Sequence, residues 1–210
     1  MRSFYDQCKA KLPVDIKQRY DSFINRNSAD AFLVGRLLLN MGLLMNNSDI
    51  FQAIIHYGGS GKPYLEHGPF FNISHSGDMI LCGMSNTCEI GIDIERKEQF
   101  DFNDFRSCFT AKEWECIENS TSPMDKFFWI WTRKEAVIKA DGRGLNLKLS
   151  KYNVIDHRVF VGTCLCEINE LSIDNRYYAH VASVVNRLGK KNSCKINMVP
   201  VSLENLLKMV

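Results

Sequence analysis

Residues 91–95 read Gly-Ile-Asp-Ile-Glu, inside EIGIDIE (89–95), and this stretch decides how the rest of the chain is read. Its alternation of apolar and acidic residues has the period of a strand. Ile92 and Ile94 then bury one face while Asp93 and Glu95 share the other, their Cα atoms roughly 7 Å apart. Two carboxylates at that spacing can hold one hard cation together with a substrate phosphate, the usual way in which proteins bind Mg²⁺. Taken alone, D-x-E favours the plainer reading of an edge strand with a solvated acidic face. Its neighbours in the sequence have to decide.

Upstream, FFNISHSGDM (70–79) leads into MILCGM, and SNTC separates that run from EIGIDIE. FFNIS and MILCGM read as short strands. His75, between Ser74 and Ser76, offers donors for phosphate oxygens at a strand end, although a single histidine is more often a structural hydrogen-bonder. The turn-rich loop YGGSGKP (57–63) supplies backbone donors and one cation, Lys62. Further back, SADAFLVGRLLLNMGLLM (28–45) reads as a buried helix starting at Ser28 or Asp30, with Arg36 its conspicuous charge.

Downstream, Thr110 followed by Glu113 is a capping-box pattern opening a helix in TAKEWECIEN. KFFWIWTRKEAVIKA (126–140) predicts a long helix stopped by Gly142 and Gly144. Glu135 and Lys139 lie four apart on it, in the order that favours an i to i+4 ion pair. The flanking FFWIW makes the helix apolar on several sides, which puts part of its charged face at a cleft. Facing GIDIE, Glu135 would add a third carboxylate, and Lys139 could neutralise a leaving phosphate. The remainder, YNVIDHRVFVGTCLCEI, YYAHVASVV and INMVPVSL, is strand-like throughout.

Bulk properties exclude several classes. At 210 residues, with 45% hydrophobic and 24% charged content, the chain has the make-up of an ordinary globular protein rather than a disordered or fibrous one. A formal net charge of +2 is too small a bias for a nucleic-acid surface. The eight cysteines contain no C-x-x-C pair, so they read as small apolar residues rather than as zinc ligands. MRSFYDQCKAKLPVDIK has no apolar core for export, and no apolar run is judged long enough for a bilayer. A soluble, cytoplasmic monomer is the expectation.

GKP, FNISHSG, GIDIE and W-x-x-KEA-x-x-K (Trp131 to Lys139), in this order, resemble the motif series of the phosphopantetheinyl transferase superfamily, of the surfactin-synthetase-activating type. FLVGRLLLNMGL resembles that family's N-terminal helix, and FTAKEWECI its helix after the metal strand. The likeness covers about residues 26–150. It implies an α+β fold of two similar α/β halves related by a pseudo-twofold axis, residues 1–88 and 89–210, with the ligand site at their junction. It also implies transfer of the 4′-phosphopantetheine arm of coenzyme A to a serine of an apo carrier protein, acyl, peptidyl or related, with release of 3′,5′-ADP.

Carried over by motif, the resemblance makes Asp93, Glu95 and Glu135 the Mg²⁺ ligands. Glu135 becomes the base for the carrier serine, and Lys139 the residue that stabilises the departing phosphate. Ser74 and His75 would hold coenzyme A phosphates and Lys62 the nucleotide end, with Asp93, Glu135 and Lys139 also lining the cofactor site. The 3′-phosphate falls to Arg26, with Lys17 and Arg19 as alternatives. A metal-dependent nuclease could share D-x-E with Glu and Lys nearby, but it would show a broad basic surface and needs neither GKP nor NISHS. A non-catalytic carrier-binding protein on the same fold would be expected to have lost Asp93, Glu135 or Lys139.

Overall fold

Internal contacts divide the chain into two units, one of Met1–Gln52 with Lys195–Val210 and the other of Ala53–Cys194. The computed structural model describes residues 2–10, 12–46, 54–144, 147–187, 190–191 and 195–207. Helices and antiparallel sheet are both present, as the α+β expectation requires.

The first unit is helical: α1 (Arg2–Ala10), α2 (Val14–Asp21), α3 (Arg26–Met45) and a short C-terminal helix, α6 (Leu203–Leu207), packed on α1 and α3. α3 begins before Ser28. Asn25 is the cap, its side chain accepting from the Ser28 amide at 3.2 Å, because asparagine caps as well as serine and Arg26-Asn27 fits a first turn. By length and composition α3 is apolar enough to cross a bilayer, which corrects the expectation of no such run. Its apolar residues serve an interior here: Leu33, Leu39 and Leu43 are fully buried. Tyr20 donates to Asp30 at 2.7 Å, tying α2 to α3, and burial with that bond raises the phenol's pKa. Residues 196–202 of INMVPVSL form no strand; Ile196, Met198 and Val199 are exposed, and Pro200 withholds the donor a ladder needs.

In the second unit β1 (Ile55–Tyr57) pairs with β2 (Pro63–Leu65), and β3 (Phe70–Ser76) with β4 (Met79–Ser85). β5 (Ile90–Arg96) is followed by α4 (Ala111–Glu118) and α5 (Pro123–Asp141). Then come β6 (Arg158–Val161), β7 (Cys164–Glu170), β8 (Tyr177–Arg187) and β9 (Lys190–Lys191). The main sheet runs β5-β8-β7-β6, with β9 on β8. The expected boundary after residue 88 falls inside this unit, between β4 and β5.

α5 lies across β5 and β8 and is buried on most of its surface, as its apolar sequence demands. Its Phe127 and Trp131, one turn apart, stack at 5.9 Å within a cluster that takes in Phe109 and Trp114. Gly142 ends the helix in the left-handed conformation, φ 83°. Close approach explains Gly91: a Cβ there would fall on the Ala136 carbonyl and the Ala140 amide of α5.

Two buried cations of α5 reach carbonyls in residues 149–156, and 152–157 consequently do not join the sheet as the strand-like pattern suggested. Arg133 donates to Val154 and Asp156 carbonyls, both at 2.6 Å. Lys134 donates to those of Leu149 (3.0 Å) and Tyr152 (2.8 Å) and pairs with Glu113 at 2.7 Å. The capping box forms as expected, but its Glu113 does more than cap: the other carboxylate oxygen accepts from the Val154 amide.

β3 runs along the edge of β5 through side chains instead of a backbone ladder. Asn72 Oδ1, Ser74 Oγ and Ser76 Oγ accept from the amides of Ile92 (2.9 Å), Ile94 (3.4 Å) and Arg96 (3.0 Å). The period of two in N-I-S-H-S matches the period of two along β5.

Candidate active site

Asp93 is the centre of the arrangement. β5 turns it towards α5, where it is 3% exposed. Its Oδ1 accepts from Lys139 Nζ at 2.6 Å and from Ser74 Oγ at 3.1 Å. Oδ2 is buried with no protein partner. Lys139 therefore bonds across to the sheet, facing GIDIE as the apolar flanks of the helix suggested, and not as a plain surface i to i+4 pair with Glu135. Opposite charge held in a buried site attracts more strongly than a neighbour on the same helix face in water.

Ser74 Oγ is saturated: it donates to Asp93 and accepts from Lys139 (3.0 Å) and from the Ile94 amide, which uses its one proton and both lone pairs. His75, the next residue along the strand, faces the opposite side and is exposed. The hydroxyl and the ring thus do not form one gripping pair.

Glu95, two residues on from Asp93, is half-buried and accepts from Ser76 Oγ at 2.9 Å. Burial raises the pKa values of Asp93, Glu95 and Glu135 alike. The Asp93 charge adds to the rise at both glutamates, and Glu135 adds to that at Glu95, while Lys139 opposes it at all three. Three carboxylates repel one another around a single ammonium.

The expected phosphate cation Lys62 is engaged within the protein. Its three N–H groups go to Glu89 Oε2 (2.7 Å), the Ile90 carbonyl (3.3 Å) and the Ala140 carbonyl (3.1 Å). The Gly-Lys-Pro loop is thereby fastened to the C-terminal end of α5, where Ser60 also donates to the Gly142 carbonyl. Arg26 sits in the first turn of α3, over the Tyr20 ring at 4.9 Å and 3.5 Å from Asp30. Arg19, on α2, lies 5.4 Å from the Phe32 ring centroid.

Among the described residues no group of three or more His, Cys, Asp or Glu side chains is arranged to hold a metal ion. The unpartnered Asp93 Oδ2, in a cluster of three carboxylates that one ammonium only partly offsets, nonetheless suits Mg²⁺. That ion is ordinarily held by one or two carboxylates and completed by substrate phosphates and water.

The structure brings Asp93, Glu95, Glu135 and Lys139 together, as the sequence suggested; Ser76, read from the sequence as a phosphate donor, instead bonds Glu95 and the Arg96 amide, while Asn72 and the partner of Lys134 were not read from it. The polar period of N-x-S-x-S was a usable signal for Asn72. No local signal pointed to Glu113 as the partner of Lys134.

The site is thus an acidic cluster gathered around one lysine on a scaffold of helices and antiparallel sheet. Comparison with known proteins shows what the chain is similar to. Residues 89–184 match the 4′-phosphopantetheinyl transferase superfamily. The chain is 29% identical over 157 residues to 4′-phosphopantetheinyl transferase gsp of Aneurinibacillus migulanus, covering 72% of this chain and 65% of that one. It is 29% identical over 150 residues to 4′-phosphopantetheinyl transferase Sfp of Bacillus subtilis (strain 168), covering 68% and 65%. Against the L-aminoadipate-semialdehyde dehydrogenase-phosphopantetheinyl transferase of Mus musculus it is 29% identical over 201 residues, covering 79% and 65%. The aligned part thus spans a little under two thirds of each of these relatives. Among solved structures, Thermotoga maritima holo-[acyl-carrier-protein] synthase aligns with a TM-score of 0.38 at 15% identity, over 48% of this chain and 64% of that one. The chain is thus similar to 4′-phosphopantetheinyl transferases over about 150–200 of its residues, and the family model matches its residues 89–184.

Proposed function

We propose that this protein is a 4′-phosphopantetheinyl transferase. It moves the 4′-phosphopantetheine arm of coenzyme A to a serine hydroxyl of an acyl, peptidyl or related carrier protein and releases 3′,5′-ADP. The observation that carries the reading is Asp93: a buried carboxylate fixed through one oxygen by Lys139 and Ser74, with the other oxygen free of protein partners. Asp93, Glu95 and Glu135 would hold Mg²⁺, which when bound neutralises charge on the pyrophosphate of the donor.

Glu135 takes the proton of the carrier serine. Burial and the Asp93 charge raise its pKa, which brings a carboxylate nearer to the range where a base works at neutral pH. The serine oxygen forms a bond to the phosphorus that carries the pantetheine arm, and the bond from that phosphorus to the bridging oxygen breaks. The electron pair leaves with 3′,5′-ADP. Lys139, with its ammonium at the edge of the carboxylates, stabilises that charge. His75, exposed on β3, donates to a coenzyme A phosphate. Lys62 serves the nucleotide end chiefly by fastening its loop to α5, and Arg26 takes the 3′-phosphate.

In this reading the chain has two pseudo-twofold halves, 1–88 and 89–210. The site lies where β3 of the first meets β5 and α5 of the second. It works as a cytoplasmic monomer and needs neither nucleic acid nor membrane. Intact-mass spectrometry of a panel of apo carrier proteins, incubated with coenzyme A and Mg²⁺, tests it. A gain of one phosphopantetheine on any carrier, lost with Asp93→Ala, is expected; no gain on any carrier would overturn the proposal.

A further inference from the structure

His180, on β8, is the direct cross-strand neighbour of Asp93. Directly opposed residues have Cβ atoms about 4.5–5.5 Å apart on one face of a sheet, and both of these side chains reach α5. His180 Nδ1 lies 2.8 Å from Thr132 Oγ1, two turns along the helix from Lys139, which holds Asp93. The ring is fully buried and stands edge-on to Trp129 at 5.8 Å.

Hydrogen-bond accounting fixes its tautomer. The single proton of the Thr132 hydroxyl goes to the Phe128 carbonyl at 2.9 Å, so Nδ1 is the donor to Thr132 and Nε2 carries the lone pair. Burial, with the nearby Arg133, pushes the pKa of the imidazole down to about 3 and keeps it neutral. Nε2 is then a buried acceptor. Among the described residues the buried side-chain polar atoms without a protein partner are this nitrogen and Asp93 Oδ2. Two acceptors cannot bond to each other, but a water has two hydrogens and satisfies both.

We propose that His180 is a positioning residue of the carboxylate site, sharing one buried water with Asp93. A carboxylate oxygen has two lone pairs. The water takes one on Oδ2 and aims the other into the site, which sets the carboxylate plane for a cation. This inference rests on the transferase reading, since it gives His180 its purpose through the metal role of Asp93.

The test is a titration of the full chain with Mn²⁺, with and without coenzyme A, followed by the electron paramagnetic resonance of the free ion. Loss of a partner that orients a metal ligand lowers metal affinity by about 10- to 100-fold, and His180→Leu is expected to fall in that range. His180→Gln, which retains an acceptor, should recover most of it. Unchanged Mn²⁺ affinity in His180→Leu, or equal losses in both variants, would overturn the inference and leave the transferase reading intact. No Mn²⁺ binding by the unmodified chain in either condition would overturn both. Nitrogen NMR of the unmodified protein decides even where His180→Leu fails to fold. A ring protonated at Nδ1 with a hydrogen-bonded, unprotonated Nε2 is expected, and protonation at Nε2 would refute the shared water.

Discussion

Lys134 and Lys139 stand five residues apart in one motif, and the structure gives them opposite employment. Lys134 is 1% exposed at its side chain against 0% for Glu113, with all three of its N–H groups accepted by Glu113, Leu149 and Tyr152. Removing one member of a buried, hydrogen-bonded pair costs about 3–5 kcal/mol, because the other charge is left stranded. For a chain of 210 residues each kcal/mol shifts Tm by about 2–4 °C, so Lys134→Met should melt roughly 6–20 °C lower. Its turnover per folded molecule should change little. Lys139 is 29% exposed at its side chain and bonded to Asp93, so its removal strands a buried carboxylate that can regain a proton, and the loss of Tm should be smaller than for Lys134. For Lys139→Met the expected result is that smaller fall in Tm together with a kcat about 10²–10⁴-fold lower. Melting followed by circular dichroism and carrier loading below the lower Tm measure both quantities on the same preparations. The double variant Glu113→Gln/Lys134→Met should recover part of the lost stability, since neither charge is then left unpaired. A Lys134→Met protein that melts with the parent, or one that keeps its Tm yet loses turnover, would refute this division of labour.

Three further outcomes follow from the same geometry. Glu135 titrates above the ordinary carboxylate range when folded, so folding opposes its ionisation. That penalty is absent below the unfolded pKa of about 4.3 and complete above the folded one, so Glu135→Gln should raise Tm in EDTA at pH 7.5 and lose the gain in acid. A gain of equal size at every pH would contradict this. Gly91→Ala should yield little folded protein, because the added methyl meets α5 backbone that cannot retreat; a parent-like Tm would show the contact to be softer than it looks. His75→Ala should weaken coenzyme A binding by about 1.5–3 kcal/mol in calorimetry with no fall in Tm, whereas Ser74→Ala should lower Tm as well. Unchanged binding in the first variant would remove His75 from the site.

What could be read from the sequence was local. The strand period of GIDIE, the capping box at Thr110 and the stop at Gly142 each depend on residues a few positions apart, and each appears as expected. Partner choice was not legible. The apolar flanks of α5 placed Lys139 opposite GIDIE, but they did not say that its bond goes to Asp93, 46 residues away, or that it shares Ser74. Glu113 was recognisable as a capping residue, yet its bonds to Lys134 and to the Val154 amide depend on α4 and α5 being packed together. INMVPVSL had the alternation of a strand without a neighbour to pair with, and alternation alone does not make a ladder. His180 gave no signal, because its meaning comes from the β5–β8 register that sets it opposite Asp93.

The seam between β3 and β5 is closed by side chains, so it is written in the genetic code residue by residue. A backbone ladder survives almost any substitution short of proline, whereas this one can be opened tooth by tooth. Exchanging Asn72 or Ser76 for alanine withdraws the acceptor of one amide, that of Ile92 or Arg96, and leaves the β5–β8 pairing in place. Hydrogen exchange at Ile92, Ile94 and Arg96 therefore reports whether the hairpin is seated, independently of whether the main sheet is intact. Ser74 is the middle tooth and also the hydroxyl that bonds Asp93 and Lys139. The bond that zips the hairpin to the sheet and the bond that sets the acidic cluster are thus made by one atom, and loosening either disturbs the other.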